Sequence, residues 1–556
     1  MEKIKRFAPL APIPVVLAVY ALAFSEDQGR IVERLKSLSP LFLAAAFFLF
    51  VALFVVSRKD LLAPFASVSR SEGLVLAALL VFAFGLAFFV APKTHRIYYD
   101  ENIYLHIGQS IASTQKAQMV NFGEIKDGRL LAGEGEYNKQ PNAYPFLLSL
   151  FYAIFGRSEN LSFLINNLFL PLSCLLVFAI GFLLSGRAGL GLSAAAVFAV
   201  IPQNILWHNT TSVEPANTFF LILAVFIFLV FLRSGKRRLL FLAAACACFT
   251  VQFRLESGLI FPLLAVLAFI ENPKALKRSD ALYALSLGLF LLLPHALHLY
   301  CFQGHPWGAG QDKFSIFYVR PNLLSNGLFF LDNKDFPALL TAFFFVALFA
   351  RRLAKEKIML LFWLLFFWGV FLFFYAGSYH YGADVRFVLM ALPPFSLLAG
   401  LGLSSLDGEI KKLTGKNIPL AAGVVLAAFL WFLPKASAVG EEAWAARADH
   451  QYAKVMAEKL PSDAIVFTHN PNMFLFWGRS AAQASILAGC DRARLEEWKA
   501  RFPGGIFFHF NFWCNVSDPV QQSFCARILE KFRHQEVLKF GAREYKYVLY
   551  RIDGMD

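Results

Sequence analysis

The chain runs to 556 residues, 58% of them hydrophobic and only 16% charged, with 63 Phe and a formal net charge of +14. Such a composition excludes a soluble globular protein and a disordered one, and fits a polytopic membrane protein. The basic excess does not point to nucleic acid, because no basic-aromatic stripe or nucleic-acid motif accompanies it.

Runs of roughly 17 to 22 apolar residues can cross a bilayer as helices, and about thirteen such runs are present. They lie near residues 8–24, 40–57, 73–91, 161–184, 189–203, 214–233, 238–253, 256–271, 281–301, 336–350, 357–376, 387–404 and 418–434. With the N-terminus in the cytoplasm, alternation places Lys3–Arg6, Arg58–Arg70, Arg187, Arg233–Arg238, Lys274–Arg278, Arg351–Lys357 and Lys411–Lys416 all inside. These segments hold most of the excess of Lys and Arg over Asp and Glu, so the net charge is chiefly a positive-inside signal. The first run lacks a small-residue cleavage site and is read as a retained span.

The third run delivers the chain into an outer loop, residues 92–160, in which acidic, basic and glycine-rich stretches lie between apolar segments. YYDENIY sets Asp100 and Glu101 side by side at the membrane boundary, where ionisable groups are functional candidates. In NIYLHIGQSIAST, Ile103, His106, Ile107 and Ile111 recur at helical spacing, which predicts an interfacial helix with one face in lipid. GEIKDGRLLAGEGEYNKQP, rich in Gly and charge and carrying Lys139, is expected to be a mobile or ligand-ordered turn. PNAYPFLLSLFYAIFG, with Tyr144 near its start, predicts an apolar helix too short to span, interfacial or re-entrant.

The next outward loop, PQNILWHNTTSVEPANTFF, brings out His208 and Glu214. Glu214 followed by Pro is a favourable helix start, so capping and catalysis are both open for it. VQFRLESGL brings out Arg254 and Glu256, which either neutralise each other or serve a site. A long segment from Cys301 to Pro337 has no spanning pattern and enough Phe, Tyr and Trp to rest on the membrane over a lipid substrate. GSYHYGADVRFVLMALPPF then presents Tyr379, His380, Tyr381, Asp384 and Arg386, with snorkelling as the other reading of Arg386. Gly189 with Gly191, and Gly400 with Gly402, stand at span edges and are expected to allow close helix packing.

From about Lys435 the pattern changes to short alternating helices and strands, ending in two strands joined by a Gly-containing turn. This predicts a small α/β domain over 435–556, outside the membrane, without a Gly-rich nucleotide motif. Of the seven Cys, Cys174, Cys246 and Cys248 fall within spans as small core residues. Cys301, Cys490, Cys514 and Cys525 face outward, where disulfides are allowed, and Cys514 with Cys525 is the candidate bridge. No CxxC or HExxH motif marks a dedicated zinc site.

The topology thus collects Asp100, Glu101, Lys139, His208, Glu214, Arg254, Tyr381, Asp384 and Arg386 on one side of the membrane, from several loops. Cations can neutralise charge on a leaving phosphate, and a carboxylate can take the proton of an attacking hydroxyl. These parts suit sugar transfer from a polyprenyl phosphate whose tail stays in the bilayer.

YYDENIY followed by YNKQPNAYPFLLSLFYAIFG resembles the first outer loop of the lipid-linked-sugar glycosyltransferases of the GT-C superfamily, which includes the protein O-mannosyltransferases and the lipid A aminoarabinose transferases. The resemblance implies a helical membrane domain over 1–434, about thirteen spans in the cytoplasmic membrane, with the α/β domain outside. It implies an inverting, metal-independent transfer from a polyprenyl-phosphate sugar to a lipid, glycan or protein acceptor. Asp100 would lead as base, with Glu101 and Glu214 as the other acids and Lys139 and Tyr144 in the donor region. Gln140 stands where the family has Pro, and Glu214 where Asp is common, which bears on reach to the donor. A divalent ion held by Asp100, Glu101 and Glu214 is the alternative to metal independence. A transporter or flippase of lipid-linked sugars is the alternative to an enzyme, but it calls for charges within spans and repeated halves.

Overall fold

The computed structural model describes residues 12–555 apart from 278, 306–308, 311, 381–383, 417–418, 437–438, 440–443 and 517. Helices form on the apolar runs read from the sequence, among them Gln28–Leu62, Arg70–Gly85, Glu159–Ser185, Glu214–Ser234 and Leu392–Thr414. By length and composition, five described helices can cross a membrane, or up to seven if two bent pairs each count as one span. Four further apolar helices are shorter, including Ala143–Phe155 and Leu420–Ala436. Breaks account for part of the difference from the sequence count, and short helices for more of it. The run after Arg187 bends by 63° between Ala188–Val200 and Pro202–His208, where Pro202 cannot donate to the helix ladder.

Chain contacts divide the molecule into two units. The first comprises Met1–Ile31, Leu41–Lys93 and Phe163–Val439, and the second Val32–Pro40, Thr94–Ser162 and Gly440–Asp556. In the first unit, helices approach through glycine. A Cβ on Gly402 would lie 1.9 Å from the Phe343 carbonyl oxygen, and one on Gly400 2.6 Å from Ala194 Cα, so each position excludes a side chain. Gly191 is similarly tight, but a Cβ on Gly189 would meet nothing within 4 Å, so close packing does not extend to that residue.

The second unit is built on a seven-stranded sheet in the order β3-β2-β6-β5-β7-β9-β8. β5 (Ile465–Thr468), β6 (Ser480–Gln483), β7 (Ile506–Phe510), β8 (Phe532–Ala542) and β9 (Tyr545–Met555) come from the C-terminal segment. β2 (Phe122–Lys126) and β3 (Arg129–Ala132) come from the outer loop, where β1 (Met119–Val120) also pairs with β4 (Gly135–Glu136). The stretch expected to be a mobile turn is therefore a hairpin. Asp127 (φ 50°) and Gly128 (φ 75°) are both left-handed, as a two-residue turn joining twisted antiparallel strands requires. β2 then pairs with β6 through Phe122–Ala482 and Gly123–Ala481, which is why Thr94–Ser162 groups with the C-terminal residues.

Val466, Phe474, Leu475 and Tyr547 fill one core of this unit and Phe467, Trp498, Phe508 and Ile552 another. Cys514 and Cys525 form a disulfide, with Cα atoms 5.8 Å apart. The helix Tyr98–Thr114, expected to lie with one face in lipid, is buried on every side from Glu101 to Ile111. Its polar residues are satisfied internally. His106 Nδ1 bonds Gln109 Oε1 and His106 Nε2 accepts the Val120 N–H, while Gln109 donates to the Leu475 carbonyl.

Candidate active site

In the first unit, three predicted residues meet. Glu214 is the first residue of the helix Glu214–Ser234, with Pro215 in the opening turn. The loop before it is pinned by side-chain amides of the helix Glu159–Ser185. Asn166 donates to the Thr210 and Ser212 carbonyls, each at 2.8 Å, and Asn167 to the His208 carbonyl at 2.8 Å. Arg254 Nη1 contacts Glu214 Oε1 at 2.5 Å, and its Nε bonds Glu256. Arg386 Nε stands 3.5 Å from the same Glu214 oxygen.

Both guanidinium carbons lie 5.1 Å from the centre of the Phe387 ring, a cation–π arrangement that fixes their planes. Phe387 stacks in turn on Phe371. One helical turn after Glu214, Asn217 donates to Met390 sulfur and accepts from Ser257 Oγ at 2.7 Å, tying the three segments together. Glu214 is 3% exposed while Arg254 and Arg386 side chains keep 12% and 14%, so the carboxylate is the buried anchor and the cations are its accessible edge.

Asp384 opens the short helix Asp384–Ala391 that carries Arg386. Tyr381 lies outside the described residues. His208 is fully buried and its Nδ1–H donates to the Asn204 carbonyl at 2.6 Å, an intrahelical bond rather than an exposed contact.

In the second unit, Asp100 and Glu101 occupy the first turn of Tyr98–Thr114, and they differ sharply. Glu101 is fully buried: its Oε1 accepts the Arg96 and Ile97 N–H groups at 2.8 and 2.9 Å, and its Oε2 meets His95 Nδ1 at 2.9 Å. It therefore caps the helix it begins. Asp100, about 100° round the helix from Glu101, is only half-buried. Lys139 is also half-buried, between β4 and the helix Ala143–Phe155. Tyr144 is wholly buried, edge-on to Tyr104 with ring centres 6.0 Å apart, a core position.

The sequence reading missed a network around this helix start. His95 Nε2 lies 2.8 Å from Glu159 Oε1, His450 Nε2 lies 2.9 Å from the same atom, and Lys454 Nζ is 2.7 Å from Oε2. Burial alone would push the His95 imidazole down, but the carboxylates of Glu101 and Glu159 on its two nitrogens outweigh this and hold it up at about 9. Next to His450, Asp449 accepts a short hydrogen bond from the Tyr98 hydroxyl and lies 3.3 Å from His509 Nε2. The adjacent Asp449 and His450 in the C-terminal segment were the one signal for it. Among the described residues, His95, Glu159 and His450, and separately Asp332, Asp335 and His380, are grouped closely enough to hold a metal ion. His469 with Cys514 and Cys525 is also grouped, but those sulfurs are joined in the disulfide.

Residues 139–298 match the family of dolichyl-phosphate-mannose-protein mannosyltransferases. No curated protein sequence matches the chain. The fold is similar to that of the Archaeoglobus fulgidus oligosaccharyltransferase tethered to an acceptor peptide, at 12% identity over 86% of this chain and 74% of that one, with a TM-score of 0.52. The same enzyme in complex with Zn and sulfate gives 13% identity over 85% and 72%, with a TM-score of 0.50. ArnT from Cupriavidus metallidurans, bound to undecaprenyl phosphate, is 13% identical over 87% of this chain and 98% of its own, with a TM-score of 0.52. The chain thus has the GT-C fold of these membrane glycosyltransferases, and over residues 139–298 it is similar to the dolichyl-phosphate-mannose-protein mannosyltransferases.

Proposed function

We propose that this protein is a membrane glycosyltransferase that moves a sugar from a polyprenyl-phosphate donor to a lipid, glycan or protein acceptor. The observation that carries the reading is the convergence of Arg254 and Arg386 on Glu214, at the opening of a helix inside the mannosyltransferase-like stretch. Two planar guanidiniums on a buried carboxylate form a preorganised phosphate clamp. As the leaving phosphate gains charge, the clamp stabilises it. Glu214 Oε2 has no hydrogen-bond partner among the described residues and is the acceptor for a sugar hydroxyl. Lys139 adds positive charge to the phosphate, and Tyr381 and Asp384 contribute sugar contacts. His208, Tyr144 and Glu101 act as supports rather than contacts.

In the step itself, the acceptor oxygen attacks the anomeric carbon while Asp100 takes its proton. The bond from that carbon to the phosphate oxygen breaks, and polyprenyl phosphate leaves with the electron pair. Attack opposite the leaving group inverts the anomeric configuration. The guanidiniums supply the positive charge an ion would bring, so no metal is assigned to this step. Two features support a site on the outer face of the cytoplasmic membrane: the positive-inside distribution of Lys and Arg, and the Cys514–Cys525 disulfide of an oxidising compartment.

The test is incubation of the purified chain with synthetic polyprenyl-phosphate sugars and extracted acceptor lipids, glycans or peptides, with products identified by mass. Release of polyprenyl phosphate together with a glycosylated acceptor is expected. Donors that stay intact in every mixture, yet cross the bilayer of vesicles containing the protein, would replace this reading with transport.

A further inference from the structure

We propose that His95, His450 and Glu159 form a binding site for a first-row divalent ion, zinc by preference, that fastens the start of the Asp100-bearing helix to the C-terminal segment within the second unit. Both imidazoles aim Nε2 at a single carboxylate oxygen, Glu159 Oε1, at 2.8 and 2.9 Å. The three ligand atoms all lie within 4.8 Å of one another, and the two histidines are 6% and 8% exposed. An ion about 2.0–2.1 Å from each ligand atom needs each nitrogen roughly half an ångström further from the carboxylate oxygen than it stands. Two imidazoles and one carboxylate suit zinc and its first-row neighbours, and exclude magnesium or calcium, which take oxygen alone.

Two further observations support the site. The remaining nitrogen of His95 is held by the Glu101 carboxylate at 2.9 Å, the carboxylate–histidine support that orients metal-bound imidazoles and raises their basicity. An entry path is also present. A cavity of about 330 Å³, lined by Arg157, Glu159, Lys454, Phe476, Trp477 and Arg479, opens onto Glu159 and leaves room for water as a fourth ligand. Lys454, 2.7 Å from Glu159 Oε2, is the competing cation; it is half in solvent and holds the oxygen that the histidines do not. The ligands come from before the helix Tyr98–Thr114, from the first residue of Glu159–Ser185 and from Trp444–Lys459, so an ion would join parts of the chain hundreds of residues apart.

The experiment uses the full chain in detergent, without a polyhistidine tag, stripped with chelator and then titrated with zinc or cobalt chloride. A single tight equivalent by elemental analysis is expected, with the visible absorption of cobalt bound by nitrogen and oxygen ligands and a rise in the thermal midpoint on zinc addition. His450→Gln should abolish that equivalent, Glu101→Gln should weaken it about ten- to hundredfold, and His380→Gln, in the exposed Asp332–Asp335–His380 group, should leave it unchanged. If His450→Gln fails to fold, the metal content and midpoint shift of the unaltered chain decide. No tight equivalent there, or loss of the equivalent in His380→Gln with retention in His450→Gln, would overturn the site.

Discussion

Glu214 and Glu101 are the same residue type, each buried in the first turn of a helix, yet the two units use them in opposite ways. Glu214 is held by the side chains of Arg254 and Arg386, which are more exposed than the carboxylate they hold. Glu101 is held by two backbone N–H groups and a buried histidine. Side-chain cations can turn from a carboxylate to an incoming phosphate without unravelling the backbone. Main-chain donors cannot. The comparison teaches that an acid at a helix start acquires its role from its partners, and four measurements can break or sharpen it.

The largest effect is expected at Asp100, the proposed base beside Glu101 in the same helical turn. Asp100→Asn should lower transfer by about a hundredfold to ten-thousandfold, with insertion and folding retained, since it removes a base and keeps the shape. Near-normal turnover of the purified variant would remove Asp100 from the chemistry. If the acceptor is itself a phosphate, it arrives ionised and the loss should be smaller.

Next comes Glu101→Gln, which cuts a buried pair and should cost about 3 kcal/mol of stability. It should appear in thermal melting and in faster exchange of the amides of 98–114. Full stability with lost transfer would make Glu101 a participant, as proposed for Glu214, and erase the contrast.

Truncating Arg254 or Arg386 to Ala, or Lys139 to Ala, should reduce donor affinity and rate together by about 1.5 to 3 kcal/mol each, the scale of a charged hydrogen bond. Unchanged binding and turnover in all three would show that the cations serve topology alone.

The smallest effect is a pH dependence. Burial, the largest influence, pulls the His106 imidazole down to about 4, and the bond from Gln109 only partly opposes it. The unfolded chain takes up a proton below about 6.5, whereas the folded helix does not. Its contribution is therefore intact above pH 6.5 and declines as the pH falls toward 4. At pH 5.5 the loss should be about 1.4 kcal/mol, one unit below the unfolded value. His106→Gln keeps the polar contacts without titrating, so its melting curve should be flatter over this window. An identical slope in both proteins would place the acid sensitivity elsewhere.

Much of the helical part could be read in advance because its signal is local. Apolar runs, flanking Lys and Arg, and a Glu-Pro helix start each lie within one window of sequence, and the helices formed on them. The Asp127–Gly128 turn was equally local, a hairpin mark between β2 and β3, and was outweighed by the Gly and charge around it. The helix Tyr98–Thr114 misled in another way: its spacing marks a helix with polar residues, but lipid on one face and protein on all faces leave the same pattern. Glu101 capping needed only its own neighbourhood. The joining of His95, Glu159 and His450, and of Tyr98 with Asp449, depends on partners up to 355 positions apart, and no periodicity reports that.

The pairing of β2 with β6 imposes an order on biogenesis. Phe122 meets Ala482, so the hairpin edge is synthesised about 360 residues before the strand that covers it. At about 5 to 20 residues per second, the edge waits roughly 20 to 70 seconds, while much of the helical chain is still being inserted. Through that interval its main-chain donors and acceptors are open to any other extended peptide. A nascent chain arrested before Ser480 would keep this edge permanently, the one lasting structural difference at β2 between an unfinished copy and a mature one.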